Sequence, residues 1–135
     1  MSQVSKKRVT AIGGIFFKSK DPKKLMEWYR QHLGIEIEGD WGGRFEWREL
    51  ENSQRKAYTV WSVFPHTTKY FDPSPAPFMV NYRVANLDEL LNALRQEGVK
   101  IDEEKRIEES EFGRFAWIMD PDGNRIELWQ PPEDQ

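Results

Sequence analysis

With 135 residues and no cysteine, the chain is long enough to bury a core by itself, and thiol chemistry, zinc-thiolate sites and disulfides are excluded. A net charge of −3 with acids and bases interspersed argues against nucleic acid as a partner. No apolar run reaches the length of a membrane span, and the leading MSQVSKKR lacks an apolar signal region, so a cytoplasmic, membrane-free protein is expected.

In chain order, Val9–Phe17 reads as a strand loosened by Gly13-Gly14. Asp21-Pro22 opens a helix, since Asp caps orphan N–H groups and Pro suits the first turn. That helix runs to about Leu33, with Leu25, Trp28, Tyr29 and Leu33 as its apolar stripe, and Gly34 stops it. Short strands are expected near Ile35–Glu38, Gly43–Leu50 and Ala57–Phe64. Residues 65–77, rich in proline, form a linker. His66, Tyr70 and Phe71 from it either fold over a neighbouring cup or belong to a passive connection.

Beyond the linker the order begins again. Phe78–Val84 is a strand, Asn86 caps a helix over Leu87–Glu97 with Leu87, Leu90, Leu91 and Leu94 inward, and Gly98 ends it. Val99–Ile101 opens a strand, the charged stretch Asp102–Glu111 reads as a solvated connection, and Phe115–Met119 with Arg125–Trp129 forms a final hairpin. The turn Asp120-Pro121-Asp122-Gly123-Asn124 holds the residues that favour tight reversal. Arg30-Gln31 recurs 65 positions later as Arg95-Gln96, and Asp21 recurs as Asn86 at the same spacing. Such a repeat points to two βαβββ modules, 9–64 and 78–131, between tails 1–8 and 132–135. The fold class is α+β, with the modules forming one curved mixed sheet around a cup and the helices outside.

DPKKLMEWYRQHLG after a strand, the repeated strand-helix unit and the closing DPDGNRIELWQP together resemble the vicinal-oxygen-chelate superfamily. This group includes glyoxalases, bleomycin-resistance proteins, extradiol dioxygenases and methylmalonyl-CoA epimerase. The resemblance implies a divalent metal in the cup, such as zinc, nickel, iron or manganese, and a homodimer. The metal-ligand positions it carries over fall on Gly14, on Trp61 or Ser62, on Met79 and on Glu127. Only Glu127 in that set is a good ligand, and a transition-metal site needs at least three donors. His32 and His66, the only imidazoles, read as solvated or structural. No cofactor is therefore expected, and Glu127 alone would touch a metal if one were bound.

Strand alternation places Glu127 and Trp129 in the cup, with Met79, Asn81 and Arg83 beside them and Trp117 next to Phe115 and Met119. Trp61 and Trp47 are further aromatic candidates, and Gly14 lines the same face. Arg83 either pairs with Glu127 or leaves it free as a base. Six Trp and eight Phe suit an apolar pocket with a few convergent polar groups. The first functional expectation is a metal-independent small-molecule-binding protein of the bleomycin-resistance type. The alternatives are a glyoxalase-like lyase or an epimerase using Glu127 as base or metal ligand, and a non-catalytic interaction module with a filled cup.

Overall fold

In the computed structural model, which describes residues 8–133, two helices pack on one side of a single curved sheet. The tail residues 1–7 and 134–135 lie outside the described residues. Strand β1 (Val9–Ser19) leads to helix α1 (Pro22–Leu33), then β2 (Gly42–Arg48) and β3 (Lys56–Pro65). After the crossover come β4 (Phe78–Val84), α2 (Leu87–Gln96), β5 (Lys100–Ile101), β6 (Glu108–Ser110), β7 (Gly113–Met119) and β8 (Arg125–Gln130). The sheet order is β2-β3-β1-β4-β8-β7-β5, with β6 paired to β7.

The pairings repeat between the halves. β1 runs parallel to β3 as β4 does to β8, and β2–β3 and β7–β8 are both antiparallel. β1 and β4, antiparallel to each other, join the halves across the middle of the sheet. Register also settles the counterpart of Glu127: Asn81 faces Glu127 across β4–β8, and Phe16 faces Ser62 across β1–β3. Both partners are displaced by 65 residues, so Ser62, and not Trp61, occupies the equivalent place.

Local chemistry explains the helix ends. The Asp21 side chain accepts from Lys24 N–H at 3.1 Å, and Gly34, at φ 70°, takes the left-handed turn that a side chain would resist. Asn86 accepts from Glu89 N–H in the same way. Leu87, Leu90, Leu91 and Leu94 are all buried, against Val84, Ala116 and Leu128. Helix α1 departs from the expected stripe. Met26 is its buried residue, Leu25 and Tyr29 are half-buried, and Trp28 and Leu33 are exposed. The helix bears on the sheet one residue round from where the apolar count places it, because Phe17, Trp61 and Val63 of the sheet receive Met26.

Two further expectations are corrected. Residues 35–38 form no strand, only an isolated bridge from Glu38 to Gly42. The charged connection contains a short exposed strand, β6, whose backbone pairs with β7 while its acids stay in water.

The crossover is packed, not passive. Its ends are tied to β1 by His66 N–H to Ser19 C=O and Lys18 N–H to Pro77 C=O, both 2.8 Å. Phe71 is fully buried in a cluster with Phe16, Met79 and Trp117, and Tyr70 packs against it. Burying a phenyl ring contributes roughly 1.5–3 kcal/mol, so the chain between the halves helps hold the fold. Phe71→Ala is expected to lower unfolding free energy by about 3–5 kcal/mol, measured by urea denaturation. A loss below about 1 kcal/mol, the range of surface positions, would mean the crossover is a mere tether.

Candidate functional site

The hydrophobic pattern of Arg125–Trp129 forces Ile126 and Leu128 onto the α2 side, where both pack in the core. Glu127 and Trp129 therefore face the other way, and both are almost completely buried, at 2 % and 3 % exposure. Strand β8 is held in that register by its tight turn, in which Asp120 Oδ1 accepts from Asp122 N–H and Asn124 N–H.

The carboxylate of Glu127 meets three donors from three separate segments. Asn81 Nδ2 on β4 donates to Oε1 at 2.6 Å. Trp117 Nε1 on β7 donates to Oε2 at 2.9 Å, and the Tyr70 hydroxyl from the crossover donates to the same oxygen. Burial pushes the pKa of Glu127 above its ordinary value, against the lowering effect of Tyr70, Asn81, Trp117 and the charge of Arg125. Burial and the nearby Glu127 charge push the Tyr70 hydroxyl far up as well, so it stays a neutral donor.

Above this group opens a cleft of about 580 Å³. Its two halves differ. Phe16, Val60 and Phe64 line the side built by the first half of the chain, with the Ser62 hydroxyl already donating to Trp41 C=O at 3.0 Å. Glu127, Asn81 and Tyr70 line the polar side, flanked by Trp129 and Phe115 stacked at 5.9 Å. At the mouth, Arg44 rests over the Tyr58 ring and pairs with Glu38 at 3.1 Å.

Of the residues singled out from sequence, Glu127, Asn81 and Trp129 line the cleft, while Met79 and Trp117 lie buried beneath it. Gly14 also lies beneath, because the Phe16 ring occupies the space before it: a Cβ added there would come within 2.7 Å of that ring. Trp61 is a correction. It packs edge-on to Phe17 and Tyr29 under α1, on the opposite face of the sheet.

Arg83 is a second correction: expected in the cup, it is not among the residues that line the cleft. It does not pair with Glu127. Its guanidinium lies between the rings of Trp47 at 5.2 Å and Trp129 at 5.0 Å, with Nη2 3.9 Å from Glu49. Burial lowers its pKa and the charge of Glu49 acts against that lowering, while the two indole faces attract the cation.

Sequence reasoning missed Gly13 and underrated Tyr70. An irregularity between Ile12 and Gly14 turns Gly13 toward the cup, where a Cβ would lie 2.3 Å from Asn81 Oδ1 and 2.8 Å from Trp129. The adjacent glycines signalled a loosened strand, but only the register shows which face they clear. Tyr70 was visible only as a rim candidate, because no periodicity governs a loop.

The positions implied for a divalent cation hold Gly14, Ser62, Met79 and Glu127, and the one carboxylate already accepts from three protein donors. No cluster of three His, Cys, Asp or Glu suited to a metal exists among the described residues, and His32 and His66 are exposed. This donor set does not fit a transition-metal ion.

The family model of the Glyoxalase/Bleomycin resistance protein/Dioxygenase superfamily matches residues 12–128, and the chain belongs to that superfamily. It is 25 % identical over 117 residues to the uncharacterized protein YraH of Bacillus subtilis (strain 168), covering 82 % of this chain and 90 % of that one. Methylmalonyl-CoA epimerase from Mycobacterium tuberculosis superposes with a TM-score of 0.64 at 22 % identity, covering 96 % of this chain and 93 % of that one. Streptomyces coelicolor methylmalonyl-CoA epimerase in complex with 2-nitronate-propionyl-CoA superposes at 0.66 and 16 % identity, covering 91 % and 98 %. These superpositions establish a shared fold.

A raised carboxyl pKa carries a definite sign for stability. The folded protein holds the Glu127 proton more tightly than the unfolded chain does, so its advantage is complete below the ordinary value of 4.5 and is lost as pH rises through the raised value. Measured by urea denaturation at a series of pH values, the native protein is expected to lose stability relative to Glu127→Gln as pH climbs above 4.5. Tyr70→Phe, which removes a donor to the ionised form, is expected to extend that loss to higher pH and enlarge it. A native protein that gains on Glu127→Gln with rising pH would show that the three donors outweigh burial.

Proposed function

We propose that this chain is a metal-independent small-molecule-binding protein of the glyoxalase/bleomycin-resistance type, taking an aromatic or amphipathic ligand in its cup. The observation that carries this reading is the engagement of Glu127 by Asn81, Tyr70 and Trp117 at the floor of an aromatic-walled cleft. A carboxylate so engaged serves as a fixed polar anchor, and the apolar walls provide the burial that drives binding. The ligand's apolar end lies toward Phe16, Val60 and Phe64, and its polar end toward Glu127. A cytoplasmic homodimer is part of the same proposal, as is the absence of nucleic-acid and membrane partners. No helix among the described residues is long and apolar enough to cross a membrane.

The raised pKa of Glu127 favours a second reading, an epimerase-like or glyoxalase-like enzyme in which Glu127 takes a proton from carbon next to a carbonyl. Oε1 would receive that proton, since it accepts only from Asn81 while Oε2 accepts from two donors. Arg83 is turned away from this oxygen, so charge developing on the substrate would fall to Arg44 at the mouth.

Two measurements separate these readings. The neutral probe 2-(1-naphthyl)ethanol is expected to quench tryptophan emission saturably, and elemental analysis of the purified protein to show far less than one equivalent of zinc, nickel, iron or manganese. Metal-stimulated turnover of a glutathione hemithioacetal, abolished in Glu127→Gln, would overturn the binding reading in favour of the enzyme.

A further inference from the structure

The charges around the cup are distributed unequally. Among the described residues Glu127 is the one carboxyl at its floor, Glu38 standing at the mouth, and none of the three side chains that donate to Glu127 is a cation. Four cations nearby are committed elsewhere. Arg125 lies over the Trp117 ring at 5.5 Å and pairs with Asp102 at 3.1 Å, so it acts on Glu127 from behind that ring. Lys105 stands over the rings of Tyr70 and Trp117, at 5.5 and 4.7 Å, and pairs with Glu108. Arg83 is clamped between Trp47 and Trp129, and Arg44 is paired with Glu38 at the mouth.

An anion buried without a counter-ion is costly, and its pKa rises in consequence, as that of Glu127 does. Three donors occupy the carboxylate, which offers about four acceptor sites, so one direction remains on Oε1, the oxygen that accepts from Asn81 alone. Glu127 lines the cleft, so its carboxyl group borders the space a ligand would occupy. The neighbouring Oδ1 of Asn81 has no hydrogen-bond partner among the described residues and lies against Gly13, where a Cβ would come within 2.3 Å of it. Phe115, Tyr70 and Phe64 line the same space with π systems, which tolerate a cation and disfavour an anion.

We propose that the cup selects cationic ligands, a protonated amine carried on an aromatic or otherwise apolar body, with Glu127 as the counter-ion. This rests on the binding reading above and narrows it to one ligand class. The ammonium group donates to Oε1 and restores charge neutrality at the floor, while the apolar body packs on Phe16, Val60 and Phe64. A charge-assisted hydrogen bond of this kind is about twice as strong as a neutral one. An amine is therefore expected to bind about tenfold or more tightly than an alcohol of the same shape, a ratio equivalent to about 1.4 kcal/mol.

Isothermal titration calorimetry with three matched probes tests the proposal: 2-(1-naphthyl)ethylamine, 2-(1-naphthyl)ethanol and 1-naphthylacetate. On the unaltered protein the amine is expected to bind tightest and the acid weakest. In Glu127→Gln, with folding checked by circular dichroism, the amine's advantage over the alcohol is expected to vanish. Equal binding of amine and alcohol would overturn cation selection and leave the binding reading standing. Tightest binding of the acid would overturn it too, and would make Arg44 the anchor. No binding of any probe at millimolar concentration would sink both readings. An amine preference that survives in Glu127→Gln would remove Glu127 from the role. The three-probe comparison on the unaltered protein decides the matter even where the variant fails to fold.

Discussion

A carboxylate held out of water by donors from three distant parts of the chain is the constraint around which the cup is built. Glu127 is brought to Asn81 by parallel pairing of β8 with β4, to Trp117 by the β7–β8 hairpin, and to Tyr70 by the crossover. Each contact therefore reports on a different part of the topology. A buried carboxyl with fewer partners would be strongly destabilising, and with a cation beside it would be a closed ion pair. The arrangement found lies between these limits. It keeps an acid at the floor of the cleft, with a raised pKa and an acceptor site still open.

The two halves of the chain share topology but divide the chemistry. At equivalent positions stand Phe16 and Asn81 on the central strands, and Ser62 and Glu127 on the strands parallel to them. At these paired positions the central strands supply a ring in one half and an amide in the other, and the strands parallel to them a hydroxyl and a carboxyl, so the polar pair Asn81 and Glu127 comes from the second half. The cations follow the same economy: Arg83, Lys105 and Arg125 each rest on aromatic faces instead of on Glu127. Aromatic rings thus have two uses here. They wall the cleft, and they hold positive charge away from Glu127.

Membership of the superfamily explains the architecture, while the donor set at the four positions implied for a cation does not fit a transition-metal ion. Gly14 and Met79 bring no charge or hard donor to the central strands, and Glu127 is already engaged by protein groups. Fold and chemistry separate at the level of four side chains.

From the sequence by itself came the elements and the repeat. The Asp21 and Asn86 caps, the leucines of α2, the Asp120–Asn124 turn and the facing of Met79, Asn81, Arg83, Glu127 and Trp129 are all local, periodic signals, and a period of two or 3.6 residues specifies a face without any knowledge of neighbours. Tertiary structure decided the rest. Met26 replaced the expected stripe on α1 because the sheet presents its receptor there, and Trp61 turned to that side because register, not hydrophobicity, assigns it. Arg83 found Trp47 and Trp129 instead of Glu127, and Tyr70 reached Glu127 from a loop with no periodicity. A long side chain on a known face still has several partners within reach, and which one it meets depends on distances that only the assembled sheet defines.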